Sequence, residues 1–178
     1  MSKKQIVKSS RPPVFAAIDF ETADYWHDSA CSVAVVRVED NKIVERVHHY
    51  IRPPRQEFVF THVHGITWED VVDAPKFSQI WPDLHKVISG VEFLAAHNAP
   101  FDRAVLDKCC SKANFKLPDV PFQCTMRLAR EIWGLRPTKL SDVCAHLDIP
   151  LQHHNAKSDA EACAKIVIAA MKAGASLS

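Results

Sequence analysis

Four carboxylates and one histidine in this chain have the types and spacing that metal-assisted phosphodiester chemistry requires. Two acids lie close together near the start, one lies in the middle, and the last follows the histidine by five residues: Asp19, Glu21, Asp102, His154 and Asp159. Hard divalent cations prefer carboxylate oxygens, and imidazole, with an ordinary pKa of about 6.5, accepts a proton near neutral pH. The set therefore predicts a two-metal phosphodiesterase site.

Asp19 and Glu21 end an apolar run, residues 14–18, which predicts a central strand covered on both faces. Alternate side chains of a strand share a face, so the two acids should lie side by side. Such a pair repels itself unless something cationic lies between the carboxylates. An exposed strand end with two solvated acids would give the same pattern, and this pair alone leaves both interpretations open.

Asp102 and Asp159 each lie in the first turn of a predicted helix, on the stripe that should face the core. The helix dipole favours a carboxylate in a first turn by roughly 0.3 to 1 kcal/mol, which explains one such residue. A buried acid is costly unless it is paired or bound to a metal. Two of them, together with the acid pair, favour a shared metal site.

His154 lies in the loop that enters the last predicted helix, where an imidazole beside a metal could accept a proton from water. His153 is the rival for this role, and a surface histidine is the ordinary alternative in a chain with ten histidines. The choice of His154 rests on the family spacing described next.

The chain resembles the DEDDh 3′-5′ exonucleases, the family of the proofreading epsilon subunit of bacterial DNA polymerase III. Three motifs carry the resemblance, which covers roughly residues 14–170: Asp-x-Glu-Thr at 19–22, Asn-x-x-Phe-Asp at 98–102 and His-x4-Asp at 154–159. No single motif is rare, but their order and spacing together are specific. All five positions that the family uses are filled.

The resemblance implies two divalent cations, Mg2+ or Mn2+, held about 3.5 to 4 Å apart by Asp19, Glu21, Asp102 and Asp159. Asp19 would bridge the two ions, Glu21 and Asp159 would complete the one that holds the attacking water, and Asp102 would support the other. His154 would take the proton of that water. The product would be a nucleoside 5′-monophosphate released from a 3′ end.

The same resemblance implies that five further residues line the pocket for the terminal nucleotide: Phe20, Thr22, His64, Asn98 and Phe101. Aromatic stacking tolerates every base, which suits an enzyme that removes any nucleotide. For Phe20 and Phe101, ordinary core packing is an equally open alternative.

With 178 residues and 47% apolar composition, the chain should form one domain with a sizeable core. We expect a flexible N-terminal arm at 1–13, an exonuclease domain at 14–174 and a short tail at 175–178. The sequence offers no apolar stretch typical of a signal peptide and no segment of membrane-spanning length, so a cytoplasmic protein without membrane contact is expected. The six cysteines lack the spacing of a disulfide framework or a zinc site and are interpreted as reduced core thiols.

The apolar pattern predicts strands near 14–20, 30–38, 42–51, 92–96 and 121–124, and helices near 67–73, 77–89, 100–112, 125–133, 138–147 and 158–173. Ser158 and Glu161 would form a capping box at the start of the last helix. Periodicity alone supports only an α/β protein. The resemblance adds the ribonuclease H-like fold, a mixed five-stranded sheet flanked by helices.

The net charge of +1 and a sequence pI near 7.7 give no global basic field for wrapping a duplex. Cations are scattered through the half that carries the motifs, and each is more often a solvated residue than a phosphate contact: Arg103, Arg127, Arg130, Arg136, Lys139 and Lys157. The favoured substrate is the 3′ end of single-stranded DNA. An exoribonuclease of the same fold and a catalytically silent binding module are the alternatives, and a polymerase partner or a homodimer stays open.

Overall fold

The computed structural model of the protein describes residues 11–152 and 154–177. Most of the expected N-terminal arm, together with His153 and Ser178, lies outside the described residues. The described part contains these strands and helices: β1 (Phe15–Thr22), β2 (Ala30–Glu39), β3 (Lys42–Tyr50), α1 (Thr61–His64), α2 (Trp68–Val71), α3 (Phe77–Ile88), β4 (Phe93–Ala96), α4 (Ala99–Lys112), β5 (Phe122–Cys124), α5 (Thr125–Trp133), α6 (Leu140–His146) and α7 (Ala156–Lys172).

The strands form one five-stranded sheet in the order β3-β2-β1-β4-β5. Strand β2 pairs antiparallel with both β1 and β3, whereas β4 pairs parallel with both β1 and β5. The expected mixed five-stranded sheet flanked by helices is therefore confirmed. Helix α1 was not predicted, because its four residues are too few to show a helical period.

Strand β1 lies at the centre and contributes to two separate apolar layers. Ile18 and Phe20 pack with the buried faces of α3 and α4. Phe15 and Ala17 face the other way and pack with α5, α6 and α7. Because both faces are covered, this strand is a continuous apolar run rather than an alternating one. Asp19 and Glu21 continue the alternation on the side of α7.

Helix α7 begins at Ala156, two residues earlier than predicted. The prediction of a capping box formed by Ser158 and Glu161 is wrong. The N-cap is Asn155, whose side-chain oxygen accepts from the backbone N–H groups of Lys157 and Ser158. The Ser158 hydroxyl instead accepts from the backbone N–H of Gln152 at 2.7 Å. The helix start is therefore set by the residue that ends the preceding loop, and it places Asp159 in the first turn.

All six cysteines are free thiols, and five of them are buried, as predicted for small core residues. Within the described ranges, no helix combines the length and apolar character required to cross a bilayer.

We expect Asn155→Ala to lower the free energy of unfolding by about 1 kcal/mol, the usual cost of removing an N-cap side chain. Urea denaturation measures this change. Asn155→Ser is the matched control, because serine also caps helices and should retain most of the stability. An equal loss in both variants would show that the side-chain oxygen of Asn155 is not what stabilises the start of α7.

Candidate active site

Three of the predicted metal ligands converge where β1 meets the first turn of α7. Asp19 and Glu21 project from β1 on the side of α7, and Asp159 lies on that helix. One carboxylate oxygen from each of the three residues lies within 4.8 Å of the others. These oxygens are close enough together to coordinate a common cation.

Asp102 reaches the same region from α4, which packs on the opposite side of the sheet. Its side chain is only 2% exposed, and Oδ1 accepts a hydrogen bond of 3.1 Å from the backbone N–H of Phe20. This bond holds the Asp102 carboxylate against β1 at Phe20, the residue between Asp19 and Glu21. Asp102 is not one of the three residues that share the 4.8 Å group, so it adjoins that group from the other layer.

His154 lies at the edge of this cluster, in the loop before α7. Its backbone has a positive φ of 60°, and its N–H donates to Asp159 Oδ2 at 3.2 Å. The residue is exposed, and it interacts electrostatically with His64. The backbone of His154 is therefore bonded to Asp159, and the residue itself is exposed to solvent.

Burial and mutual repulsion disfavour the negative charges of this cluster. Burial raises the pKa of Asp19 well above its ordinary value, and the nearby carboxylates of Asp102, Glu21 and Asp159 add to the effect. Burial also raises the pKa of Asp102. The pKa of Glu21 rises to about 7, first through burial and then through repulsion by Asp159. A divalent cation would compensate these charges, and the hard oxygen donors fit Mg2+ or Mn2+.

The five residues expected to contact a nucleotide differ in how far their side chains reach solvent. Phe20 is 4% exposed and belongs to the apolar core, as in the core-packing alternative considered for this residue. Thr22 is also buried. Asn98 is exposed at the left-handed N-cap position of α4. Phe101 is 37% exposed, and its ring meets that of His27 edge-on at 5.9 Å.

His64 is fixed by hydrogen bonds at both ring nitrogens. Nδ1 accepts from the backbone N–H of Ile66 at 3.0 Å, so Nε2 donates to the Thr22 carbonyl at 3.1 Å. Burial lowers its pKa, which is consistent with a neutral ring in this arrangement. His64 thus ties the segment after α1 to the end of β1.

Two features near the site were not predicted. His97 joins the end of β4 to the helical layer, through Nδ1 with Thr125 Oγ1 at 2.7 Å and Nε2 with the Thr138 carbonyl at 2.9 Å. Tyr25 and Trp26 are 76% and 70% exposed in the loop that follows β1. Two adjacent aromatic residues in a polar loop directly after the first motif were a sequence signal for an exposed surface of this kind.

Comparisons with known proteins relate most of this chain to exonucleases. The exonuclease family model (RNase_T) matches residues 16–167. The PolC-type DNA polymerase III of Oceanobacillus iheyensis is 34% identical over 153 residues, which are 83% of this chain and 11% of that protein. Exodeoxyribonuclease 10 of Escherichia coli K12 is 31% identical over 160 residues, covering 85% of this chain and 66% of that protein. The chain thus spans less than two thirds of either relative.

A solved structure of Exonuclease X in complex with 5′ overhanging duplex DNA superposes with a TM-score of 0.74. Its sequence is 28% identical, and the match covers 90% of this chain and 92% of that one. Most of the architecture of this chain is therefore shared with that structure.

We expect Mg2+ to raise the melting temperature, by an increment that grows between pH 5 and pH 8. Because the pKa of Glu21 is raised in the folded state, its protonation stabilises the folded, metal-free protein. This stabilisation is complete below pH 4.5, the ordinary pKa of the residue, and is lost as the pH rises through about 7. A cation relieves the resulting repulsion, but only after the proton has left. Thermal denaturation with Mg2+ and with chelator, at each pH, measures the increment.

Glu21→Gln is the control for this pH dependence, because its amide cannot ionise. The variant should be more stable than the wild type at pH 8 in chelator, and its Mg2+ increment should be smaller and flatter with pH. A wild-type increment that does not change with pH would contradict the assignment of Glu21 as a titrating ligand.

Proposed function

This chain belongs to the exonuclease family, as a member of the DEDDh type, and from this premise we propose that it hydrolyses the terminal phosphodiester bond at 3′ ends of single-stranded DNA. The products would be nucleoside 5′-monophosphates. One observation carries the proposal: carboxylate oxygens of Asp19, Glu21 and Asp159 lie within 4.8 Å of one another. Asp102 and His154 adjoin the same group from either side.

DNA as the substrate is supported by the relatives. One is named a DNA polymerase, another an exodeoxyribonuclease, and the 28% identical structure holds duplex DNA. The exposed aromatic rings of Tyr25, Trp26 and Phe101 near the site suit unpaired bases, because stacking on an aromatic ring does not require a particular base.

In this proposal Asp19, Glu21 and Asp159 hold divalent cations, with Asp102 supporting them from α4. Bound Mg2+ or Mn2+ would neutralise the scissile phosphate and help water to ionise. The chain itself contributes the placement: β1 fixes the spacing of Asp19 and Glu21, and the bond from the Phe20 N–H holds Asp102 in place. The pKa values of Asp19 and Glu21, raised by burial, imply that protons leave as cations enter.

His154 is proposed as the group that accepts the proton of the attacking water. Its exposed position lets the ring exchange that proton with solvent. The hydrogen bond from its backbone N–H to Asp159 couples the position of the loop to that of a metal ligand. An imidazole is suited to this role because its ordinary pKa lies close to neutral pH.

We expect His154→Ala to lower kcat by roughly 10²- to 10⁴-fold, the usual contribution of a general base. Asp19→Ala should abolish turnover, because it removes the carboxylate that interacts electrostatically with all three others. Hydrolysis of a 5′-labelled strand measures turnover, and circular dichroism verifies folding. His146→Ala, an exposed histidine of α6, is the matched control. Wild-type rates in both His154→Ala and Asp19→Ala would refute the site.

Substrate class is tested with 5′-labelled single-stranded DNA and RNA of one sequence, each with Mg2+, Mn2+ or chelator. We expect DNA to shorten progressively from its 3′ end with metal and to remain intact with chelator. Shortening of RNA alone would move the function to RNA processing. If neither strand shortens with either metal, the catalytic proposal fails in favour of a silent binding module.

A further inference from the structure

A groove runs along α4, away from the carboxylates and towards the start of α3. It consists of two adjoining cavities of about 610 and 530 Å³, which share Asp28, Arg55 and Lys112. We call it the α4 groove. Five cationic side chains line it: Arg52, Arg55, Lys76, Lys108 and Lys112.

The α4 groove concentrates positive charge in a nearly neutral protein. Two acids, Asp28 and Asp107, line it together with the five cations, which leaves an excess of three positive charges in a chain whose net charge is +1. The cations come from three separate segments, so no run of basic residues in the sequence could reveal the groove.

The cations of the α4 groove fall into two groups. Arg52 and Arg55 are engaged within the protein: Arg52 donates to the Val72 carbonyl at 3.2 Å. Arg55 pairs with the carboxylates of Asp24 and Asp28 and therefore stabilises the loop after β1. Lys76, Lys108 and Lys112 are exposed, and none of the three has a carboxylate oxygen within 4.0 Å among the described ion pairs. Lys112 acts on Asp28 only at longer range, where it helps to lower the pKa of that carboxyl.

Three arginines outside the groove are already engaged with partners within the protein. Arg46 pairs with Glu161 at 2.7 Å, Arg127 pairs with Glu131 at 3.8 Å, and Arg130 donates to Thr138 Oγ1 at 3.2 Å. The lysines of the α4 groove are thus better placed to receive a phosphate backbone than these arginines are.

The α4 groove reaches the neighbourhood of the active site at Phe101, the residue before Asp102. His27 lines the groove, and its ring meets that of Phe101 edge-on at 5.9 Å. Ala104, Lys108 and Lys112 follow one another at intervals of four residues and so share one stripe of α4. From Asp102 to Lys112 the helix rises about 15 Å, which corresponds to roughly four stacked nucleotides at about 3.4 Å each.

Resting on the proposed function, we propose that the α4 groove binds the phosphates of the same strand whose 3′ end lies at the carboxylates, over about four nucleotides on the 5′ side of the scissile bond. Lys108 and Lys112 contact these phosphates along the helix, and Lys76 contacts them at the far end. Strands too short to extend beyond the carboxylate cluster do not reach the groove, so the groove does not raise their binding affinity.

The test is binding of 5′-fluorescein single-stranded DNA in chelator, where hydrolysis cannot contribute. Twelve- and three-nucleotide strands are titrated with the wild type, with the double variant Lys108→Gln/Lys112→Gln and with the control Lys86→Gln/Lys116→Gln. The control removes two exposed lysines that lie outside the groove. Each titration is repeated at several salt concentrations.

We expect the groove variant to bind the twelve-nucleotide strand about 5-fold more weakly for each lost contact at 0.1 M salt, and its salt slope to fall by about 0.7 for each contact. Its affinity for the three-nucleotide strand and the behaviour of the control should match the wild type. Wild-type affinity and slope for the longer strand, or an equal loss on both strands, would overturn the proposal.

Hydrolysis of the three-nucleotide strand with Mg2+ reports on the active site separately. The groove variant should cleave it at the wild-type rate. If the wild type itself cleaves neither strand, the proposed function fails, while the length dependence and salt slope in chelator still decide whether the groove binds DNA.

Discussion

Repulsion among carboxylates that the fold buries at the end of β1 is the constraint on which the rest of the structure depends. Burial and neighbouring negative charge raise the pKa values of Asp19 and Glu21, so the cluster is unfavourable on its own. Apolar packing elsewhere in the fold offsets the unfavourable free energy of this cluster. Strand β1 is covered by apolar layers on both faces, and α7 crosses the sheet with an extensively buried stripe.

Each acid is held by a feature of the backbone rather than by a long flexible side chain. Strand alternation places Asp19 and Glu21 on one face, and the N-cap of α7 places Asp159 opposite them. The Phe20 N–H fixes Asp102 from the other layer. Such rigid placement is what a metal site requires, since ligands must already be near their bound positions to hold a cation in a defined geometry.

The sequence revealed much of this fold because its strongest signals are local. The apolar run of β1 and the core-facing stripes of α4 and α7 each identify one element. The start of α7 was predicted wrongly because Ser158 and Asn155 both have suitable side chains, and the loop geometry at His154 brings the Asn155 oxygen to the helix start. Distances between carboxylates 140 residues apart, the burial of Phe20 and the α4 groove depend on tertiary packing and are absent from any local pattern.

The two sides of the carboxylate cluster belong to different core layers, and this division affects when the protein can act. Asp19, Glu21 and Asp159 meet only when α7 has docked, whereas Asp102 arrives with α4 on the opposite face. A partly folded chain with one layer in place therefore lacks the complete set of proposed ligands. The proposed hydrolysis would thus require both layers to have assembled, so a nascent chain would not act on nearby nucleic acid before then.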